Sequence, residues 1–148
     1  MEIRSGKKGD LPSVLELIRE LAEFERAPKE VENTVEMLEE DGFGENPVYG
    51  FYVAVKEGRI VGLSLFYYRY STWKGKKLYL EDIIVTERER GQGIGGLLFE
   101  RTVQRAKEDG CRGMSWQVLE WNEPAIRFYE KKYGASFDPE WINCSIQF

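Results

Sequence analysis

Four glycines fall within six positions of the segment Arg90-Gly-Gln-Gly-Ile-Gly-Gly96. An apolar strand pattern precedes this segment, and an amphipathic helix pattern follows it. Glycines at such a junction let the backbone curl, so that successive N–H groups point inward at the start of a helix. These amides and the positive end of the helix dipole attract phosphate oxygens. The segment therefore predicts a phosphate-binding loop; the alternative is a turn with helix-cap glycines.

The surroundings of this glycine loop narrow the kind of phosphate ligand. Gly91, Gly93 and Gly96 satisfy the G-x-G-x-x-G spacing of dinucleotide-binding folds, and Glu120 ends the next predicted strand. A dinucleotide fold needs further parallel strands, however, and fewer than 60 residues follow the loop. The loop also lacks the G-K-[ST] ending of nucleoside triphosphate sites. Both classes of ligand are therefore disfavoured.

Two adjacent carboxylates, Glu81 and Asp82, interrupt the apolar strand pattern before the loop. The chain has no histidine, and its two cysteines lack C-x-x-C spacing, which excludes catalytic triads and histidine-containing zinc sites. Acid–base chemistry must then use carboxylates, tyrosines, backbone amides or a bound cofactor. Because consecutive strand residues face opposite ways, we expect only one of these carboxylates to point into a given cleft. The alternative is that both pair with lysine or arginine at the strand end.

The net charge of −5 is unevenly distributed along the chain. Residues 1–45 hold 6 lysine and arginine residues against 13 aspartate and glutamate residues, a net charge of −7. This acidic part favours a cationic small molecule and repels duplex nucleic acid, so no nucleic-acid partner is expected. No apolar run reaches the roughly 20 residues of a membrane span, and the start has no signal-peptide pattern. We therefore expect a cytoplasmic protein with no membrane partner.

The elements that hold these groups follow from the spacing of the apolar residues. A helix is predicted from the N-cap Asp10 to Glu25. Asn33 resembles the start of a capping box, which predicts a second helix that ends at Gly42. A loop is predicted at Ser71–Lys77. Further helices are predicted from the glycine loop to Gly110 and over 123–132, and strands at 1–5, 49–55, 60–70, 78–85, 114–119 and, once or twice, within 135–148.

This order of elements predicts an α/β (α+β) fold in a single domain, residues 1–148. The first strands form an antiparallel series, and the unit around the glycine loop is β-α-β, which places its two strands parallel. We therefore expect a mixed, mostly antiparallel twisted sheet flanked by helices, with the loop between a strand and a helix.

Several segments together resemble the GNAT superfamily of N-acetyltransferases. The loop fits the pattern R-x-x-G-x-G, which in that superfamily holds the pyrophosphate of acetyl-coenzyme A (acetyl-CoA). The strand Leu78-Tyr-Leu-Glu-Asp-Ile-Ile-Val85 and the segment Glu120-Trp-Asn-Glu-Pro-Ala-Ile-Arg-Phe-Tyr129 are similar to the diamine (spermidine/spermine) acetyltransferases, and the resemblance covers nearly the whole chain. It implies direct acetyl transfer from acetyl-CoA to a primary amine of a small cation: a diamine or polyamine first, then a lysine analogue such as thialysine.

The resemblance also implies roles for individual residues. Glu81 would be the general base, acting through water, and Tyr129 the general acid for the departing thiolate. Cofactor contacts would come from Ile83, Ile84, Val85, Arg90, Gly91, Gln92, Gly93, Ile94, Gly95, Gly96, Asn122, Glu123, Pro124 and Ala125. The acceptor would contact Phe24, Glu25, Ser71, Trp73, Glu81, Asp82, Ser115, Trp116 and Gln117. No metal site is expected.

The chain departs from the diamine acetyltransferases mainly around the acceptor. Phe24 lacks the hydroxyl of the family's tyrosine, and Ser-Thr replaces Asp-Pro before Trp73. The cofactor half of the resemblance is therefore better supported than the polyamine half. The resemblance implies a homodimer, and the aromatic segment Phe66–Tyr68 with Trp73 supports it, because one small sheet does not easily cover that apolar surface. The alternative function is a non-catalytic module that senses coenzyme A.

Overall fold

A five-stranded sheet organises the first part of the chain. The computed structural model describes residues 1–148, which form two compact units, Met1–Gln117 and Val118–Phe148. In the first unit the strands lie side by side in chain order, and only the last pair is parallel. They are β1 (Glu2–Ser5), β2 (Gly50–Lys56), β3 (Arg59–Ser71), β4 (Gly75–Val85) and β5 (Gly113–Trp116). The predicted mixed, mostly antiparallel sheet is confirmed.

Helices cover both faces of this sheet. Two helices, α1 (Leu11–Phe24) and α2 (Val35–Phe43), pack on one face, where Leu11 and Val14 join Val53 and Leu63 in the core. Helix α3 (Ile94–Glu108) packs on the opposite face, where Leu98 joins Phe66 of β3. We call these surfaces the α1 face and the α3 face. Because successive strand residues alternate between them, each strand supplies side chains to both cores.

The first helix begins at its predicted N-cap, whereas the second begins one residue later than predicted. Asp10 occupies the N-cap position of α1, but its carboxylate accepts hydrogen bonds from Arg4, at 2.8 and 3.0 Å, and from the backbone of Lys7. Thr34, not Asn33, is the N-cap of α2, and its hydroxyl accepts from the amide of Met37 at 3.1 Å. Asn33 does not cap α2 because its side-chain oxygen accepts from the amide of Thr34, at 2.9 Å, instead.

The predicted loop at Ser71–Lys77 is mostly strand. β3 runs to Ser71 and β4 begins at Gly75, so only three residues form the connecting turn. The Ser71 hydroxyl accepts from the amides of Trp73 and Lys74, at 3.3 and 3.0 Å, and closes this turn. The local composition predicted a loop, whereas cross-strand pairing with β3 extends the strand.

The second unit contains one helix, α4 (Glu123–Tyr133), as predicted. The strands predicted within residues 135–148 do not form, and no helix or strand follows Tyr133. A strand needs a neighbour to pair its N–H and C=O groups, and no segment of this chain pairs with residues 135–148. Trp141, Ile142 and Ile146 are consequently exposed. None of the helices is long and apolar enough to cross a membrane.

Candidate active site

The glycine loop lies between a 3-10 turn, Glu87–Glu89, and the first turn of α3. Gly91 and Gly93 have φ values of +81° and +82°, which a residue with a Cβ adopts at a cost of about 1–2 kcal/mol. Nothing lies within 4 Å of a Cβ built on either glycine, so the surrounding space is open. Gly93 is the N-cap of α3, and the amides of residues 94–96 are those that a helix leaves without a backbone partner.

The polar side chains of the loop bind the protein itself. Lys56 Nζ donates to Gln92 Oε1 at 2.9 Å and to Glu89 Oε2 at 2.6 Å, and Gln92 Nε2 donates to Glu89. Arg90 Nε donates to the carbonyl of Val85 at 2.8 Å. The Lys56, Arg90 and Gln92 side chains are therefore already hydrogen-bonded within the protein.

A β-bulge in β4 sets the direction of the two adjacent carboxylates. In the ladder with β3, Leu65 is opposite Asp82 and the next residue, Phe66, is opposite Leu80. Glu81 is thus an extra residue between two paired ones. The bulge interrupts the alternation of side chains at the point where the carboxylates lie.

Both carboxylates lie on the α1 face as a result. Leu78 packs in the core on the α3 face, so alternation along β4 places Glu81 on the α1 face. Ile84 packs in the core on the α1 face, so alternation backward along β4 places Asp82 there too. The prediction that only one of them could point into a given cleft is therefore wrong, because the extra residue restarts the alternation.

Glu25, Glu81 and Asp82 form what we call the carboxylate cluster. Burial, and then the charges of Glu81 and Glu25, raise the pKa of Asp82 to about 7. Burial and the charge of Glu81 also raise the pKa of Glu25. None of the salt bridges in the structure involves these three residues, so the alternative that lysine or arginine neutralises them does not hold. A cation would relieve their mutual repulsion.

Two tyrosines on the α1 face adjoin the carboxylate cluster. Tyr67 Oη donates to Glu81 Oε1 at 3.0 Å, and its ring lies 5.3 Å from that of Tyr79, its cross-strand neighbour. Burial, and then the charge of Glu81, raise the pKa of Tyr67 to about 12, so the hydroxyl stays a donor at neutral pH. Neither tyrosine is among the acceptor contacts predicted from the sequence. Nothing in the sequence marks them, because the β3–β4 register decides which aromatic residue of the run meets Glu81.

The end of β5 opens one side of β4. β5 pairs only with Lys77–Leu80, so the segment Glu81–Val85, which includes the predicted cofactor contacts Ile83, Ile84 and Val85, has no strand neighbour on that side. Ser115 is opposite Tyr79 and therefore shares the α1 face. Trp116 instead packs edge-to-face on Phe99 of α3, with ring centroids 5.1 Å apart. Gln117 follows the strand and is exposed.

The other predicted acceptor contacts are only partly brought together. Phe24 is half-exposed at the end of α1, directly before Glu25. Ser71 is the last residue of β3, and Trp73 lies in the β3–β4 turn, where it is 87% exposed. Gly75, which is paired with Ser71, precedes Glu81 by six strand residues. At about 3.3 Å per residue, the turn is about 20 Å from the carboxylate cluster within one chain.

The second unit holds Tyr129 on α4. The Asn122 side chain caps this helix by accepting from the amide of Ala125 at 3.4 Å, and Pro124 lies in the first turn after Glu123. Tyr129 is buried, and burial raises its pKa above the ordinary value. Its hydroxyl is therefore protonated at neutral pH and can donate a proton.

One cavity of about 440 Å³ lies elsewhere in the first unit, lined by α1, the β2–β3 turn and the 3-10 turn before the loop. Its lining includes Asp10, Glu16, Arg59 and Arg88 but none of the predicted site residues. Its charges are of both signs. The carboxylate cluster and the glycine loop therefore define the candidate site better than this cavity does.

Comparison with protein families and curated proteins gives consistent matches. The model of the acetyltransferase (GNAT) family matches residues 12–135. The thialysine N-epsilon-acetyltransferase of Bos taurus is 43% identical over 136 residues, which cover 86% of this chain and 80% of the bovine protein. The spermidine/spermine N(1)-acetyltransferase-like protein 1 of Homo sapiens is 38% identical over 140 residues, covering 88% of this chain and 20% of that protein.

Solved structures show the same architecture at low sequence identity. An aminoglycoside acetyltransferase from an uncultured soil metagenomic sample has a TM-score of 0.81 at 22% identity, covering 99% of this chain and 96% of that chain. A ribosomal-protein-alanine N-acetyltransferase from Brucella melitensis has a TM-score of 0.71 at 20% identity, with 100% of both chains covered. At these identities the likeness concerns the fold alone.

Proposed function

Because this chain belongs to the GNAT family of acetyltransferases, we propose that it acetylates a small amine that carries a further positive charge. It is an amine N-acetyltransferase, and its donor is acetyl-CoA. The predicted enzyme class and cosubstrate are thereby confirmed, and a non-catalytic sensor is disfavoured. The observation that carries the acceptor class is the carboxylate cluster, three acids without a cationic partner on one face of the sheet.

Among cationic amines we propose a lysine analogue as the first candidate acceptor. Three mammalian relatives of 39–43% identity are named for thialysine, whereas the relative named for spermidine and spermine is 38% identical. The departures at Phe24 and before Trp73 also argue against the polyamine preference that the sequence suggested. Diamines and polyamines are the second candidate, because the same carboxylates would attract them.

We propose that the carboxylate cluster both attracts the ammonium group and removes its proton. An alkyl ammonium has a pKa of roughly 10.4, so little free amine exists at pH 7. Glu81, through water, is the proposed base, and Tyr67 orients its carboxylate through their hydrogen bond. Asp82 has a pKa of about 7, and a bound cation would favour its ionised form. Glu25 adds a third negative charge at the end of α1.

On the donor side, we propose that the amides of residues 91–96 bind the pyrophosphate of acetyl-CoA. The left-handed glycines and the helix start support this role. Ile83, Ile84 and Val85, beside the end of β5, would contact the pantetheine arm, and Asn122–Ala125 would add contacts at the start of α4. Acetyl-CoA supplies the thioester, and the protein's part is to position it and to stabilise the charge that develops.

We propose Tyr129 as the general acid. A departing thiolate has a conjugate-acid pKa of roughly 8.5, below that of a tyrosine, so a protonated phenol is available at neutral pH. Burial raises the pKa of Tyr129 above the ordinary value for tyrosine, which keeps the phenol protonated. Tyr129→Phe should then lower kcat about tenfold or more and leave the KM for acetyl-CoA nearly unchanged, as steady-state kinetics would measure.

The acceptor proposal is tested with purified protein, acetyl-CoA and a panel of amines. The panel contains thialysine, lysine, ornithine, putrescine, spermidine and a neutral primary amine of similar length. We expect the cations to have higher kcat/KM than the neutral amine, and thialysine to lead. Glu25→Gln, within the carboxylate cluster, should reduce this preference for cations. Glu30→Gln, which changes an exposed acid outside the cluster, is the control and should keep the preference. Equal rates for neutral and cationic amines would contradict the role of the carboxylate cluster.

We also propose that the chain forms a homodimer. We propose further that it is a single-domain, cytoplasmic enzyme with no nucleic-acid partner. Exposed apolar side chains support the dimer: Tyr70 and Trp73 at the β3–β4 turn are 78% and 87% exposed, and Ile142 and Ile146 are more than three-quarters exposed. Surfaces of this kind are typical of subunit interfaces. Light scattering at micromolar concentration should give twice the mass of the chain, and a monomer would contradict the proposal.

A further inference from the structure

The side chain of Arg90, directly before the glycine loop, contacts α1 and the end of β4. Its Nε donates to the carbonyl of Val85 at 2.8 Å, at the end of β4. Its Nη2 lies 3.6 Å from Glu20 Oε1, and its Cζ lies 5.4 Å from the centroid of the Phe24 ring. All three partners belong to β4 or α1. Arg90 therefore joins the loop to the elements that carry the carboxylate cluster.

Glu20 makes the matching contacts from the side of α1. Its carboxylate accepts from the hydroxyl of Thr86 at 3.0 Å and from the amide of Glu87 at 2.9 Å, besides facing Arg90. A single carboxylate thus binds three groups in the five-residue stretch before Gly91. Hydrogen bonds to an ionised group are stronger than neutral ones and restrict the angle between their partners. We call Glu20, Phe24, Thr86 and Arg90 the loop bracket.

The loop bracket connects the glycine loop, on the donor side, with the carboxylate cluster, on the acceptor side. Glu20 and Phe24 are four residues apart on α1 and so lie on the same side of that helix. Phe24 directly precedes Glu25 of the carboxylate cluster, and Arg90 directly precedes Gly91 of the loop. A shift of the loop therefore moves Arg90 relative to the Phe24 ring. Arg90 is joined directly to the loop, and Phe24 is joined directly to Glu25 of the carboxylate cluster.

We propose that Glu20 and Arg90 are positioning residues through which occupancy of the glycine loop raises the affinity for the cationic acceptor. An anion on the loop amides fixes residues 90–93, and the loop bracket then holds the end of α1, with Glu25, in the acceptor-binding position. The coupling is reciprocal, so a bound acceptor raises the affinity for coenzyme A by the same factor. This inference rests on the proposed function, because it assumes that the carboxylate cluster binds the acceptor.

The test measures the dissociation constant of thialysine by calorimetry, with and without saturating coenzyme A. In the parent protein, coenzyme A should tighten thialysine binding about fivefold. Arg90→Met should abolish that difference and raise the KM for the acceptor about fivefold, although this side chain does not belong to the carboxylate cluster. Glu20→Ala should do the same. Glu20→Gln keeps one oxygen that can accept from the amide of Glu87 and should retain part of the coupling.

Matched controls separate the loop bracket from general charge and stability effects. Arg88→Met removes the same charge two residues earlier, and Glu23→Ala removes an exposed acid of the same helix; both should keep the parent coupling. Thermal unfolding checks that each variant is folded, and Arg90→Lys, which keeps the charge but not the Nε donor, replaces Arg90→Met if the latter is unstable.

The outcomes distinguish this inference from the proposed function. If Arg90→Met raises only the KM for acetyl-CoA, Arg90 is a pyrophosphate ligand and the inference is wrong. It is also wrong if the parent shows no coupling, or if the Arg90 and Glu20 variants keep it. If the parent acetylates no amine of the panel, the proposed function fails first. Loss of coupling in both variants, with retention in both controls, supports the loop bracket.

Discussion

The carboxylate cluster includes two residues near the end of β4, and the glycine loop follows β4 in the chain. The two regions are nevertheless built in different ways. The loop uses backbone amides within residues 91–96, and its shape follows from glycines at φ values near +80°. The cluster uses side chains from α1 and β4 that are more than 50 positions apart in the chain, and burial with like-charge repulsion raises the pKa values of Asp82 and Glu25.

This difference determines which substitutions each region tolerates and whether each region can be identified from the sequence. A backbone site depends on a few residues whose conformation is local, so one substitution can distort it without disturbing the core. A side-chain site depends on packing and register, and the bulge at Glu81 shows how a single extra residue changes its composition. We therefore expect substitutions within each region to act mainly on that region's own ligand, apart from the proposed coupling through the loop bracket.

The largest effect should come from Glu81→Gln, which keeps the shape and removes the charge. We expect kcat/KM for the acceptor to fall about a hundredfold at pH 7, and less at pH 10, where the free amine is already present. The pH–rate profile of the parent and the variant measures this difference, with the KM for acetyl-CoA mainly unchanged. Glu30→Gln is the control, and an equal loss at both pH values would exclude a role in proton removal.

The next effect concerns the stability of the carboxylate cluster. Because the folded-state pKa of Asp82, about 7, is above the ordinary value for aspartate, the folded state binds the proton more tightly than the unfolded state. The contribution of this group is fully present at pH values below its unfolded pKa and is lost as pH rises toward 7.

Between pH 5 and pH 8 the parent should therefore lose about 2 kcal/mol of unfolding free energy relative to Asp82→Asn. Urea unfolding at both pH values measures the difference. Asp41→Asn, at an exposed position on α2, should follow the parent. If Asp82→Asn also follows the parent, Asp82 is ionised at pH 5 and the cluster is less buried than the structure indicates.

On the donor side, Gly93→Val should raise the KM for acetyl-CoA about tenfold, because a branched side chain resists the left-handed backbone that the loop amides need. The space around Gly93 is open, so backbone strain rather than crowding within the protein is the cause. Gly110→Val at φ +70°, after the end of α3, is the matched control. It should lower stability similarly without changing this KM; if both variants change it equally, the loop has no special role.

The smallest effect should come from Tyr67→Phe, which removes the hydroxyl that donates to Glu81. Losing this solvent-exposed hydrogen bond, which we expect to contribute about 0.7–1.4 kcal/mol, should lower kcat/KM for the acceptor about threefold to tenfold. Tyr70→Phe, an exposed tyrosine on the same strand, should have no effect. Equal activity of Tyr67→Phe and the parent would mean that Glu81 needs no positioning by β3.

The sequence by itself determined the parts of this protein that depend on short segments. The helical spacing of apolar residues after Asp10 predicted α1 within one residue, and the glycines of residues 91–96 predicted the curl before α3 because few other residues adopt positive φ. The family, and with it the donor, followed from motifs within β4, the loop and α4. Each of these signals is carried by neighbouring residues.

The tertiary structure alone decided the features that depend on distant pairing. The bulge that places Glu81 and Asp82 on one face arises from the β3–β4 ladder, and the residues of β4 alone do not predict it. The contacts of Tyr67 and Glu20 likewise require two elements to pack. The strands predicted within residues 135–148 have the right alternation but no neighbour in this chain. A strand is stabilised by its partner's backbone, and local sequence does not specify that partner.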